Sequence, residues 1–332
     1  MLQVSQVYAQ QWHTTIDVRV PAAMQLQSSA RRLLLVNNVC PQPDDFGHRL
    51  RRGDSEGSVT VDVSDAARYA LFGMAAAMQD AEWLDDVEML ERTQNTSGHP
   101  FVKQQLRKAE VDSLYRLYDS DVILSLNQLL FSDVCESFLT VDNSYYASLT
   151  VICHSSWSVH YAGQSKIYTY SQADTLFWEN ERNTLSGALM ALPERKQAIL
   201  DVSEYVGKQV ALLFVPHWQT VDRYMYDNGN EHLVRGMELF SHMHNDEAVD
   251  RFELAASTEG KSRKARLTRA YAEANIAVVR EIQGDFDEAI RRAQKACDEF
   301  SQINSAAARQ QYVNLSFYVE ELKRIKSYQA KL

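Results

Sequence analysis

Two stretches near the carboxyl end of the chain carry the same arithmetic. Gly236, Leu239, Ala248, Phe252 and Ala255 follow one another at steps of 3, 9, 4 and 3 residues, and Ala277, Arg280, Ala289, Ala293 and Ala296 repeat those steps 41 residues later. Steps of three and four keep residues on one helical face, and the longer step carries the chain around a turn into a second helix. Small residues at such positions let two antiparallel helices approach closely. The stretch NIAVVREIQGDFDEAIRRAQKA, Asn275 to Ala296, therefore reads as the core of a second helical hairpin with Gly284 at its tight turn.

These are the small and aromatic positions of the tetratricopeptide repeat, whose usual period is ~34 residues. The longer offset predicts about two extra turns, ~10 Å of helix, in STEGKSRKARLTRA. The repeats are expected at about 229–262 and 270–303, followed by a capping helix with Tyr312, Leu315, Val319, Leu322 and Ile325 on one face. The concave side would show Leu233, Met237 and Phe240 from the first repeat and Tyr271, Asn275 and Val278 from the second. That is the candidate interaction groove. Clamps for a peptide carboxylate use Lys, Arg and Asn on this face, and only Asn275 is of that type. An apolar groove would pack on the neighbouring domain or hold an apolar helix, and two repeats are fewer than the ~3 that usually stand alone. Packing on the neighbouring domain is the expectation.

Upstream, strand and helix patterns alternate. RRLLLVNNV (31–39) is a buried strand running into a loop that continues through DDFGHRLRRGDSEG. Ser64 caps a helix with Ala66, Tyr69, Ala70, Gly73, Met74 and Ala77 at helical spacing. A short strand at Val87–Leu90, a turn TQNTSGHP, a helix with Leu106, Leu114, Leu117 and Tyr118, and the core strand DVILSLNQLLF follow. In ASLTVICHSSWSVHY, Ala147, Leu149, Val151, Cys153, Trp157, Val159 and Tyr161 alternate with Ser148, Thr150, His154, Ser156, Ser158 and His160. That pattern predicts one covered and one wet face of an antiparallel strand. KIYTY continues the meander, and a helix opening at Pro193 closes the unit. The fold class is α+β: an α/β sandwich with a mixed sheet over 1–214, then an all-α tetratricopeptide-like domain over 215–332. VPHWQTVDRYMYDNGN (215–230) is the junction, and its His217, Trp218, Arg223 and Tyr224 form a candidate site, since ligand crevices often lie between domains. Their structural alternative is a wedge of Trp218 and Tyr224 between domains, with Arg223 tying down carbonyls or a carboxylate.

A formal charge of −10 argues against nonspecific binding to nucleic acid or anionic lipid. The basic clusters at 49–52 and 261–264 are short and read as solvated surface. Cysteines 40, 135, 153 and 297 lack CxxC spacing, so no zinc ribbon or thioredoxin motif is encoded. Cys135 and Cys153 flank a hairpin turn, which leaves a disulfide between them open. No phosphate-binding glycine motif or nucleophile elbow occurs. His242 and His244 are two apart, the wrong spacing for paired ligands on a helix. No metal, cofactor or catalytic residue is expected, and the sequence reads as non-enzymatic.

The ordered set IDVRVPAAMQL, RRLLLVNNVCPQP with GHR behind it, VPHWQTVDRYMYDNGN and NIAVVREIQGDFDEAI resembles a Bacteroidetes family of tetratricopeptide-containing lipoproteins whose domains have no known function. The amino-terminal half is similar to the α/β domain of TolB and the curli-secretion lipoprotein. The resemblance implies export through a lipoprotein signal and anchoring at the cell envelope, while the repeat geometry points to a protein partner. The opening MLQVSQVYAQQWHTTIDV has no basic or apolar signal region. The expectation is therefore the cell envelope if the N-terminus is trimmed, and the cytoplasm otherwise.

Overall fold

The computed structural model describes residues 10–24, 26–27, 30–82, 84–90 and 98–329. The elements run β1 (Gln10–Val20), β2 (Arg32–Asn37), β3 (His48–Arg52), β4 (Ser55–Ser58), α1 (Ala66–Asp80), β5 (Asp86–Leu90), α2 (Lys108–Tyr118), β6 (Val122–Leu139) and β7 (Tyr145–Tyr161). They continue β8 (Tyr168–Arg182), α3 (Leu185–Met190), α4 (Arg195–Phe214), β9 (His217–Asp227), α5 (Glu231–Ser241), α6 (Asn245–Ala256), α7 (Arg263–Ile282), α8 (Phe286–Ser301) and α9 (Ala306–Gln329). An amino-terminal mixed-sheet domain followed by a helical region makes the fold α+β, as the sequence predicts.

The chain divides into two units, and one of them is discontinuous: residues 22–216 form the sheet unit, while the segment before it joins residues 217–332. This corrects the expected 1–214 domain. The reason is β1, which pairs antiparallel with β9 along its whole length, from Gln10↔Asp227 to Val20↔His217. The stretch read as a junction is thus mostly a strand.

In the sheet unit the spine is β6. Its first part pairs parallel with β2 and its last part parallel with β3, while β7 covers the other edge antiparallel and β8 extends the meander. β5 flanks β2, and β4 flanks β3. The segment expected as a loop, DDFGHRLRRGDSEG, is therefore largely the β3–β4 hairpin. Its backbone groups find ladder partners on Asp133–Ser137. The register slips between Leu126 and Gln128. One extra residue reverses the side-chain alternation, so Leu124 and Leu126 before the slip and Leu129 and Phe131 after it all enter the same core.

That core lies under α1 and α4, which touch backbone to backbone. A Cβ on Gly207 would stand 1.8 Å from the Ala70 carbonyl oxygen, and one on Gly73 2.2 Å from that of Glu204. On the opposite face Leu106, Val111 and Leu114 cover Leu34, Val36 and Ile123. Within the main core sits a buried polar cluster: Asp133 takes His48 on one oxygen and Arg195 at 2.7 Å on the other, anchoring the start of α4 to β3 and β6.

The expected wet face of β7 holds only in part. His154 is exposed, but Ser156, Ser158 and His160 are buried. Asn127, the residue at the slip, donates to Ser158 Oγ at 2.8 Å, and Ser171 Oγ donates to Ser156 Oγ at 3.1 Å. The polar residues face one another instead of water. Cys135 and Cys153 are free and out of register, Cys135 opposite Leu149 and Cys153 opposite Phe131. Residues 93–97 of the expected turn TQNTSGHP lie outside the described residues.

In the helical unit, α5–α6 and α7–α8 are antiparallel hairpins and α9 closes the array. Gly284, at φ +79°, turns the second hairpin, and Asp285 caps α8 by accepting from the Glu288 N–H. Of the expected lengthening, α7 takes 20 residues against 11 in α5, while 257–262 forms a loop ending in the Ser262 cap. In α9, Leu315, Val319, Leu322 and Ile325 are buried but Tyr312 is exposed.

Candidate functional site

The concave face of the hairpins is where the sequence placed a groove, and the β1–β9 ribbon fills much of it. Strand β9 lies along α7: Arg223 reaches Glu281, the Tyr226 backbone reaches Asn275, and Asn228 reaches Thr268. Leu233, Asn275 and Val278 are fully buried, Met237 and Tyr271 nearly so, and Phe240 partly. The expected groove residues are thus brought together, but as a strand-binding floor rather than an open surface.

Two polar clamps hold the strand. The Asn275 side chain accepts from the Tyr226 N–H at 2.8 Å and donates to the Tyr226 carbonyl at 2.8 Å. A single amide thereby satisfies both main-chain groups at a point where no third strand continues the ladder. The Tyr226 ring stacks on Tyr271 with centroids 4.8 Å apart. Farther along, Arg223 makes a fork to Glu281, with Nε and Nη2 each 2.8 Å from a carboxylate oxygen, and Nη2 also meets Glu321 at 3.0 Å. Tyr318 donates to Glu281 at 2.6 Å and lies under the guanidinium. Burial works against the Arg223 charge, but the Glu281 bonds outweigh it and hold its pKa above the ordinary value. Charge-assisted bidentate pairs of this kind are strong and directional.

The four residues expected at a domain junction therefore part company. Arg223 points into the helices and is consumed there. Trp218 is 69% exposed and Tyr224 47% exposed on the ribbon's outer face. Tyr224 sits over His13 with ring centroids 5.8 Å apart. His217 starts β9 opposite Val20, half-buried.

What the sequence did not announce is the space left beside the ribbon. One cavity of about 490 Å³ lies between Trp12, His13 and Thr14 of β1 and Val234, Glu238 and Ser241 of α5. A second, of about 410 Å³, runs from Thr14 to Arg19 of β1 over Met243, Ile282 and Phe286 at the hairpin turns. Thr14 and Phe240 line both, so the two cavities meet end to end along β1. Their walls are mainly apolar. Met243 holds φ +63° and is 79% exposed, an uncommon conformation for a residue with a side chain. The signal that could have found this surface is the period-two alternation of Ile16, Val18 and Val20 with Thr15, Asp17 and Arg19 in IDVRV.

Elsewhere the chemistry is sparse. Burial depresses the His160 pKa, and its Nε2 stands 3.4 Å from Ser125 Oγ, which itself bonds Asn127. Both residues are buried, and His160 borders a cavity of only about 150 Å³. His242 turns to the Glu238 carbonyl and His244 to Glu247. Among the described residues no group of three or more His, Cys, Asp or Glu is placed to hold a metal ion. No described helix is long and apolar enough to cross a membrane.

A family of domains of unknown function, DUF8603, matches residues 30–226, and the chain belongs to that family. A second model, the domain of unknown function DUF6340, matches residues 238–324. One solved structure, described as an uncharacterized protein, is similar at 12% identity over 56% of this chain and 97% of its own, with a TM-score of 0.22. No curated protein matches the chain.

Proposed function

We propose that this is a non-enzymatic, envelope-associated protein whose helical unit docks a protein partner. The observation that carries the reading is the pair of apolar cavities meeting along β1. Two further points support it. The lining glutamates already have partners, Glu281 in Arg223 and Glu238 in Arg235, and His13 beside the larger of the two cavities is paired with Asp222. The acidic chain disfavours nucleic acid and anionic lipid as partners. The envelope assignment rests on the resemblance to tetratricopeptide-containing lipoproteins alone, with a cytoplasmic adaptor as the alternative. Fractionation of native cells expressing the whole gene decides between them.

A photo-crosslinking residue at position 243 in native cells tests the docking role. Capture of one stoichiometric protein, lost on changing Phe240 to Asp, is the expected result. Capture unaffected by that change sinks the reading. A second reading, a small-molecule site, is favoured by Trp218 bordering the smaller cavity. It predicts a heat-stable ligand released on denaturing the purified protein.

A further inference from the structure

We infer that the outer edge of β1 accepts a third strand from a partner protein, an extended segment lying over α5 as β9 lies over α7. The inference rests on the docking role above and specifies its geometry.

Main-chain logic gives the first part. Both backbone groups of Tyr226 point away from β1, because Asn275 takes them. Its cross-strand partner is Gln11, so that pair is non-hydrogen-bonded, and alternation makes His13↔Tyr224, Thr15↔Asp222, Asp17↔Thr220 and Arg19↔Trp218 non-hydrogen-bonded too. In β1, therefore, His13, Thr15, Asp17 and Arg19 direct their N–H and C=O groups outward. Among the described residues β1 pairs only with β9. An edge of this length is a ready template for another chain.

Repeat symmetry gives the second part. The positions of the second hairpin that grip β9 are Asn275 and Glu281. Forty-one residues earlier stand Val234 and Phe240, and both line the cavities beside β1. Gly284 of the second turn corresponds to Met243, which also lines a cavity. Strands in a sheet lie ~4.8 Å apart and packed helices ~9 Å apart, so two strand spacings match one helix spacing. With β9 over α7, a strand beyond β1 falls over α5, onto apolar side chains rather than polar clamps.

The occupant's chemistry follows. The cavities centre near His13 and Asp17, about four residues or ~13 Å along a strand, so the segment carries two apolar side chains four positions apart. Among the wall charges not already held in an ion pair, Asp17 and Asp227 outnumber Arg19, which favours basic residues at its ends.

The test uses the full chain and a fluorescein-labelled peptide, Lys-Thr-Leu-Thr-Thr-Thr-Leu-Thr-Lys, with versions carrying Val, Ile or Phe for both leucines. Two further versions carry N-methyl groups on alternate residues, one on the odd set and one on the even. An added strand donates to β1 from one set only. One methylated version should therefore lose roughly tenfold or more in affinity while the other stays within about twofold. Amide hydrogen exchange at His13, Thr15, Asp17 and Arg19 should slow on binding. Val234→Asp, at an exposed position whose folding is checked by circular dichroism, should abolish binding, and Phe177→Asp in the sheet unit should not. Equal tolerance of both methylation patterns overturns the strand geometry while leaving docking intact. No saturable binding by any version overturns the inference, and if position 243 also captures no partner, the docking role falls with it.

Discussion

The two helical hairpins occupy corresponding places in one repeat, yet they spend those places differently. The second hairpin is saturated with polar bonds. Asn275 and Glu281 hold the ribbon, and Arg292 joins Glu253, Glu273 and Glu288 across three helices. At the matching positions the first hairpin has Val234, Phe240 and an exposed Arg251. One copy of a duplicated unit has become the permanent seat of an internal strand. The other, with a shorter first helix, has apolar side chains where those clamps stand. Polar clamps whose partners are lost leave buried groups unsatisfied, whereas an apolar surface tolerates coming and going.

That contrast breaks first at Arg292. Changing it to Ala removes the nearer of the two counter-charges of buried Glu273, together with the bonds to Glu253 and Glu288, and should cost ~3–5 kcal/mol in urea unfolding, whereas Arg251→Ala should stay within ~0.5 kcal/mol. Equal costs would mean the hairpins are energetically alike. Next comes Asn275→Ala, which orphans two buried main-chain groups of Tyr226 and should cost ~2–4 kcal/mol, against well under ~1 kcal/mol for Val234→Ala. Hydrogen exchange of the Tyr226 amide should rise in the first variant only. The turns give a smaller effect of opposite sign. Met243→Gly should stabilise the chain by ~1 kcal/mol and Gly284→Ala destabilise it by about as much, read as shifts in melting temperature. If Met243 touches a docked strand, affinity falls while stability rises, a split that a purely structural residue would not give.

The smallest effect is at acid pH. Burial opposes ionisation of Glu288, but its bonds to Arg291 and Arg292 prevail and hold its carboxyl below the ordinary value. The unfolded chain therefore takes up that proton first. The contribution is complete above the ordinary pKa of 4.5 and is lost as pH falls towards the depressed value. Glu288→Gln should flatten the pH dependence of stability below that point, and an unchanged slope would remove Glu288 from the ion cluster's account.

The hairpins were legible because close helix packing demands small residues at fixed steps, and those steps are local. The ribbon was not, because β1 and β9 meet only in space and Arg223 interrupts the apolar face of its own strand. Its role became clear only beside Glu281. Polar residues on β7 read as wet because the sequence shows their polarity and not their partners. Asn127 reaches Ser158 through a slip in register that leaves no compositional mark. Gly207 was silent for the same kind of reason, since its value lies in the approach of Ala70 from another helix.

The pairing of Val20 with His217 has one further consequence. The chain leaves the helical unit at the first of these residues and re-enters at the second, so the sheet unit is an insertion within a ribbon. A ribosome delivers β1 nearly two hundred residues before β9, and β1 must wait, edge exposed, while the inserted unit folds. A folded insertion whose ends are held together closes that long loop at a stroke, where an unfolded one would impose a large entropic cost. The connectivity thus ties closure of the ribbon to the folding of the inserted unit. Any fragment beginning after Val20 would present α7 with half of its strand pair.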